Sequence, residues 1–207
     1  MPNMTVSSAI EHRTSVRLFK PDYVMAERDK RRLLELAMKA PSAWNIQHWR
    51  FVLVEDPSQR AALQAAAANQ AQFTDAAMLV AIVVDIDAWK RNPARYFDAA
   101  DDDVAEVLGA KVIDFYTDRD GLARDEAMRS SGLAAQTLML AATEIGLASC
   151  PMDLFEPETV ASLLNLPAGH ETAMFVAIGK AKADQGMERM GRLPFDEIVT
   201  IDRFPAA

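Results

Sequence analysis

The sequence predicts one domain of mixed α/β or α+β class, and three observations predict it. Helix-like segments with apolar positions at 3.6-residue spacing alternate with short apolar runs of strand character. Half of the 207 residues are hydrophobic, against a quarter charged, so a sizeable core is available. A folded chain of this size exposes about 9,600 Å², against roughly 33,000 Å² unfolded, which buries some 70% of its surface. No internal repeat, Pro/Ser-rich linker or composition break divides residues 1–207, and they read as a single domain.

The elements follow in order. Glu27–Lys39 sets Leu33, Leu34, Leu36, Ala37 and Met38 among charged residues, an amphipathic helix that stops before Pro41. Arg50–Glu55 reads as a buried strand. Asp56-Pro57-Ser58-Gln59 has the form of a helix start, with Asp as N-cap, Pro in the first turn and Gln placed for a capping box. The alanine-rich stretch to Asn69 continues that helix. Met78–Asp85 is a second apolar strand. Asp98, Asp101, Asp102, Asp103 and Glu106 form an acidic run, read as a solvated face or a helix start. Gly132–Ile145 is a helix apolar almost all round, closed by Gly146; in a chain this small, such a helix implies that a second subunit covers part of it. Leu147–Cys150, Ala173–Gly179 and Glu197–Ile201 read as further strands.

Composition excludes several classes of function. The net charge of −8 argues against a nucleic-acid or anionic-membrane partner. The longest apolar run, Ala76–Val84, is nine residues, short of a bilayer span. Cys150 stands alone, which excludes an intrachain disulfide and a four-thiolate zinc site, and no secretory signal opens the sequence. A cytoplasmic setting is expected. His12, His48 and His170 lack metal-ligand spacing, and no metal site is expected. The motifs Gly-x-Ser-x-Gly, His-Glu-x-x-His, Cys-x-x-Cys and Gly-x-Gly-x-x-Gly are all missing.

Two polar clusters remain. In His12-Arg13-Thr14-Ser15-Val16-Arg17, two guanidiniums flank two hydroxyls. Residues 11–20 hold Arg13, Arg17 and Lys20 against Glu11, a local excess of positive charge that suits an anion such as phosphate; a solvated basic turn is the plainer reading. In Pro41-Ser42-Ala43-Trp44-Asn45-Ile46-Gln47-His48-Trp49, amides that both donate and accept lie among indoles, a combination suited to the edge and face of a heterocycle. A turn with satisfied amides is the alternative.

Taken together, the residues resemble a known family. Arg13-Thr14-Ser15-x-Arg17-x-Phe19, then Pro41-Ser42-Ala43-x-Asn45-x-Gln47-x-Trp49, is similar to the FMN-dependent nitroreductases. Asn69 ahead of Asp75-Ala76, Gly146-Leu147-x-x-x-Pro151 and Gly191-Arg192-Leu193-Pro194 match the family in the same order, so the resemblance runs over residues 6–202. It implies a three-layer α/β/α fold of α+β class, with a central mostly antiparallel sheet flanked by helices. It also implies an intertwined homodimer with two FMN sites at the subunit interface. Arg13, Thr14, Ser15 and Arg17, with Arg192, would hold the phosphate, ribityl and pyrimidine end. Pro41, Ser42, Ala43 and Asn45 would come from the partner subunit, with Gln47, Asn69 and Gln72 near the ring or ribityl chain. Pro151, Met152, Asp153 and Leu154 would line the ring face, with a backbone N–H near Asp153 toward flavin N5.

The resemblance further implies ping-pong hydride transfer from NAD(P)H through FMN to an electron-poor small molecule: a nitroaromatic, a quinone or an activated alkene. No side-chain acid or base is obligatory in such chemistry. Trp44, Phe115 and Tyr116 are candidates to wall the acceptor site, although interface packing is the simpler reading of Phe115 and Tyr116. Three departures from the family pattern stand out: Met190 where a lysine is common, Gln72 where a basic residue is common, and bulky Trp44. They motivate an alternative, a flavin-binding protein without nicotinamide turnover that stores, fragments or senses flavin.

Overall fold

Met78–Asp85 is buried along its whole length, because each face of this strand meets a separate layer of helices. The computed structural model describes residues 4–119, 121–183 and 189–204. Four strands, β1 (Trp49–Leu53), β2 (Met78–Asp85), β3 (Ala148–Met152) and β4 (His170–Gly179), form one sheet in the order β1-β2-β4-β3. All three pairings are antiparallel, and a bulge lies between Ile82 and Val83 in the β2–β4 register. The helices in chain order are α1 (Val6–His12), α2 (Glu27–Ala37), α3 (Pro57–Ala66), α4 (Gln72–Asp75), α5 (Asp102–Tyr116), α6 (Leu122–Glu144), α7 (Pro157–Leu163) and α8 (Phe195–Ile198).

The two-residue period of β2 sorts the core. Met78, Val80 and Ile82 face α2 and α6, packing on Leu33, Ala37, Ala135, Leu138 and Ala142. Leu79, Ala81 and Val83 face the other way, onto Leu63, Phe73 and Val160 of α3, α4 and α7. The result is the α+β, three-layer arrangement with an antiparallel sheet at its centre. A third cluster, outside these layers, gathers Ile46, Ala88, Tyr96, Val112, Tyr116 and Ala123 around α5.

Local chemistry sets the ends of the elements. Asp56 Oδ1 accepts from the backbone N–H of Gln59 at 2.8 Å, capping α3 as the motif predicts. The box is only half formed, since the Gln59 amide donates instead to the carbonyl of Leu163 on α7. Gly146, at φ 72°, closes α6: its N–H bonds to the Thr143 carbonyl, and that of Leu147 to the Ala142 carbonyl. The acidic run becomes the start of α5, with Asp102 and Asp103 in the first turn, where the helix dipole favours carboxylates.

Two expectations are corrected. α6 is not buried on every side; Leu133 and Gln136 lie exposed with Leu140 half-buried, one stripe at helical spacing. Residues 197–201 do not form a strand. α8 is a single helical turn, and the chain beyond it pairs with no strand among the described residues. Phe195, Ile198 and Ile201 are 73%, 61% and 83% exposed, so the apolar residues that suggest a strand stay largely uncovered. No helix among the described residues is long and apolar enough to cross a membrane.

Candidate functional site

α1 begins where Thr5 Oγ1 accepts from the Ser8 N–H, and ends where Arg13 turns extended. The chain then runs beside the free edge of β3. Ser15 bridges Ser149, the Val16 N–H donates to the Ser149 carbonyl at 3.0 Å, and the fully buried Phe19 anchors the segment. This fixes the basic cluster in place. Arg13, Thr14, Ser15 and Arg17 line a cavity of about 270 Å³ with Arg189, Met190 and Arg192.

Arginine dominates that cavity, and among the described residues no carboxylate lines it. Arg189 Nη2 donates at 2.7 Å to the carbonyls of both Ile10 and Arg13, tying the C-terminal segment to the end of α1. Burial, then the neighbouring Arg189 and Arg192 guanidiniums, push the Arg13 pKa down. Arg13 Nη1 is buried without a hydrogen-bond partner. Concentrated positive charge with an unsatisfied buried donor is the chemistry of a site for a multiply charged anion. Arg189 escapes the sequence reading, which looks for a cation at position 190; the only signal is an arginine one residue earlier.

The rim of β3 continues this site. Gln72 is buried and its Nε2 lies 3.9 Å from Cys150 Sγ. Burial raises the pKa of that thiol, while Gln72, Arg17 and Arg13 oppose the shift. Asn69, exposed and left-handed at φ 54°, follows the end of α3, and the Gln70 amide donates to the Leu154 carbonyl. Pro151 is half-buried; Asp153 and Leu154 are exposed. The Met152 side chain is in the core, so only its backbone is open to a ligand.

The second cluster folds into a tight loop ahead of β1. Trp44, Asn45 and Gln47 all have positive φ, near 52°, 55° and 53°, a costly run for residues other than glycine. Hydrogen bonds hold it. Ser42 Oγ accepts from the Gln47 N–H at 2.9 Å, Asn45 Nδ2 donates to the Tyr96 carbonyl at 2.8 Å, and Gln47 Nε2 donates to the Asn45 carbonyl. Pro41 is exposed, while Ser42 and Ala43 are half-buried. Gln47 lines a separate hollow of about 420 Å³ with Met38, Trp49, Arg50 and Arg95.

Trp44, Phe115 and Tyr116 do come together. The Trp44 and Phe115 ring centroids are 5.6 Å apart, and those of Phe115 and Tyr116 are 5.0 Å apart, edge to face. Burial pushes the Tyr116 hydroxyl pKa up to about 12, and that hydroxyl has no partner.

The two polar clusters, however, stand at diagonal corners of the sheet. One precedes edge strand β1 at Trp49, level with Val84 and Glu171; the other adjoins edge strand β3 at Ser149, level with Ile178. That is three strand spacings of about 4.8 Å across and some seven residues along, at about 3.3 Å each. A larger cavity, about 490 Å³, lies apart from both, but its cations are committed: Lys30 pairs with Glu27 and Glu55, and Arg60 donates to the carbonyls of Val54 and Ala76. Among the described residues no group of three His, Cys, Asp or Glu side chains is placed to hold a metal ion.

The family model described as the nitroreductase family matches residues 10–180. The chain is 40% identical over 204 residues to Protein DrgA of Synechocystis sp., covering 97% of each. It is 31% identical over 201 residues to NADH dehydrogenase of Thermus thermophilus, covering 96% of this chain and 97% of that one. A structure from Exiguobacterium sibiricum, solved in complex with FMN, superposes with a TM-score of 0.86 at 24% identity, covering 95% of this chain and 96% of the other.

Proposed function

The chain belongs to the nitroreductase family, and from that membership we propose that it is an FMN-dependent NAD(P)H oxidoreductase acting as a homodimer. The observation that carries the reading is the cavity in which Arg13, Arg189 and Arg192 converge with no carboxylate among the described residues, one buried guanidinium nitrogen of Arg13 lacking a partner there. A phosphate dianion supplies the acceptors that this nitrogen lacks, so the residues fit the group. A relative named NADH dehydrogenase and a fold neighbour solved with FMN agree with it.

The homodimer rests on two further arguments. The chain exposes 12,791 Å². That exceeds the expectation for a compact monomer of this size by roughly 3,200 Å². Exposed apolar residues contribute to the surplus: Leu133 on α6, and Phe195, Ile198, Ile201 and Phe204 in the C-terminal segment. The two polar clusters also lie too far apart in one protomer to hold one flavin, whereas the β3 corner of one copy and the β1 corner of another can meet. Each dimer then carries two sites.

FMN, when bound, supplies the hydride chemistry, accepting from NAD(P)H and passing electrons to a nitroaromatic, a quinone or an activated alkene. The protein binds and orients. Arg13, Arg17 and Arg192 hold the phosphate and the pyrimidine end, with Thr14 and Ser15 as hydroxyl donors. Positive charge from Arg17 and the backbone N–H near Asp153 stabilise negative charge where it develops. Asn69 and Gln72 border the ribityl side, Gln72 from a buried position. Pro41, Ser42, Ala43, Asn45 and Gln47 of the other copy close the ring edge. Donor and acceptor occupy the flavin face in turn, a ping-pong order, with half-buried Trp44 and Phe115 as its candidate wall and buried Tyr116 packed behind them.

The test is the absorbance of the purified protein, then anaerobic mixing with NADH and with NADPH. Yellow protein whose flavin band bleaches with either nicotinamide supports the proposal. A flavin that stays oxidised points to the binding protein without turnover. Protein that remains colourless after FMN is added overturns both.

A further inference from the structure

The loop at residues 44–47, left-handed at Trp44, Asn45 and Gln47, is held in part from outside. Gln47 has both of its backbone groups engaged from outside: its N–H by Ser42 Oγ, and its carbonyl by Arg50 Nη1 at 3.0 Å. The same Arg50 nitrogen donates to the Trp49 carbonyl at 2.8 Å, and Arg50 Nη2 donates to Asp85 Oδ2 at 3.0 Å. Asp85 ends β2, and its side chain is almost wholly buried. Its backbone N–H donates to the His48 carbonyl, so the carboxylate stands directly behind the loop.

Asp85 does not need Arg50 for neutrality. Arg91 Nη2 also donates to Oδ2, and His170 Nε2 lies 3.7 Å away. A planar guanidinium can chelate one carboxylate with both of its arms. Here the arms are divided instead, one on the carboxylate and the other on two backbone carbonyls. The carboxylate thereby fixes the plane of Arg50, and Arg50 fixes the Gln47 carbonyl. The strained loop is locked before any ligand arrives.

We infer that Arg50 and Asp85 are positioning residues for the flavin, holding Asn45 and Gln47 in the conformation in which they face the cofactor bound by the other protomer. This rests on the flavin reading above and extends it to two residues that hold the loop at the Gln47 carbonyl. The side chains of Asn45 and Gln47 take their direction from left-handed backbone torsions; Ser42 and the Tyr96 carbonyl hold part of the loop, and the Asp85–Arg50 pair restrains it at the Gln47 carbonyl.

The experiment compares the full-length parent, R50K, R50M and H170A, each stripped of flavin. It reads melting temperature, hydrogen exchange at the Gln47 amide, and FMN dissociation constant by fluorescence titration. In R50M, Gln47 exchange quickens and the dissociation constant rises about tenfold or more, the scale of a lost charge-assisted hydrogen bond. R50K keeps a charge for Asp85 but cannot serve the carboxylate and both carbonyls at once, so it gives a smaller rise of the same sign and decides the matter if R50M does not fold. H170A, which touches the same carboxylate but not the loop, lowers the melting temperature and leaves FMN affinity unchanged. Unchanged affinity in folded R50M or R50K, or an equal loss in H170A, overturns the positioning role while the flavin reading stands. A parent protein that takes up no FMN overturns both.

Discussion

Arg189 donates a 2.7 Å hydrogen bond to the Arg13 carbonyl while its charge depresses the Arg13 pKa across the same cavity. The backbone bond holds together two guanidiniums that repel each other, and an anion between them relieves that repulsion. Replacing Arg189 with Met removes one charge and the tie to α1. Because Arg189 is exposed, solvent screening trims the effect of a charged hydrogen bond to roughly 1–2 kcal/mol, about 5–30-fold in FMN affinity. Fluorescence titration at low and at high salt measures it, and the gap between parent and Arg189→Met narrows as salt screens the charges. Equal affinities at low salt would remove Arg189 from the site.

How far the sequence reveals this protein depends on whether a signal lies within one protomer. Met78–Asp85 is read to the residue, because a strand buried on both faces is a continuous apolar run. Asp56 and Gly146 are read correctly because capping is local. The clustering of Arg13–Arg17 with Arg192 follows from the family resemblance and not from spacing, since 175 residues separate the two ends. Two features stay hidden. Residues 197–201 read as a strand but pair with none among the described residues, and pattern alone says nothing of what a segment pairs with. Arg50 and Asp85 look like an ordinary strand start and strand end; only the antiparallel β1–β2 register brings them together.

His48 makes stability depend on pH. Its ring is fully buried with both nitrogens unpartnered, and burial, aided by Arg50 and opposed by Asp85, lowers its pKa from 6.5 to about 4. The unfolded chain therefore binds a proton more readily than the folded one between these values. The stabilisation is complete above pH 6.5 and is lost as pH falls toward 4, by about 3 kcal/mol in all. Urea denaturation of the apo-protein across this range should show the slope, and His48→Phe should flatten it. A parent and variant with the same slope would show that the loss comes from other groups.

Gly109 is required by a close approach and not by its torsions. A Cβ built there would lie 2.8 Å from the backbone nitrogen of Ala94, in the short helical turn Pro93–Phe97 packed on α5. Alanine in a helix interior ordinarily gains up to about 1 kcal/mol over glycine. Here backbone must move, a cost of roughly 1–3 kcal/mol for overpacking, so Gly109→Ala is expected to be net destabilising. A drop in the urea midpoint with unchanged slope checks it; a rise would mean that the turn at Pro93–Phe97 yields freely.

Leu133 decides whether the flavin site needs two copies of the chain. It is 48% exposed on α6, in one stripe with Gln136 and Leu140, on a helix whose other sides are buried in the core. In a two-fold interface each substitution acts twice, and burying one leucine contributes about 1.5–3 kcal/mol. Leu133→Arg should therefore cost the dimer roughly 3–6 kcal/mol before any charge repulsion is counted. Sedimentation velocity is expected to show a monomer with unchanged helical circular dichroism. Because the Arg13 corner and the Gln47 corner lie at opposite edges of the sheet, that monomer should release its FMN. A folded dimer that keeps FMN would move the interface away from α6, and a monomer that keeps FMN would show that one chain completes the site alone.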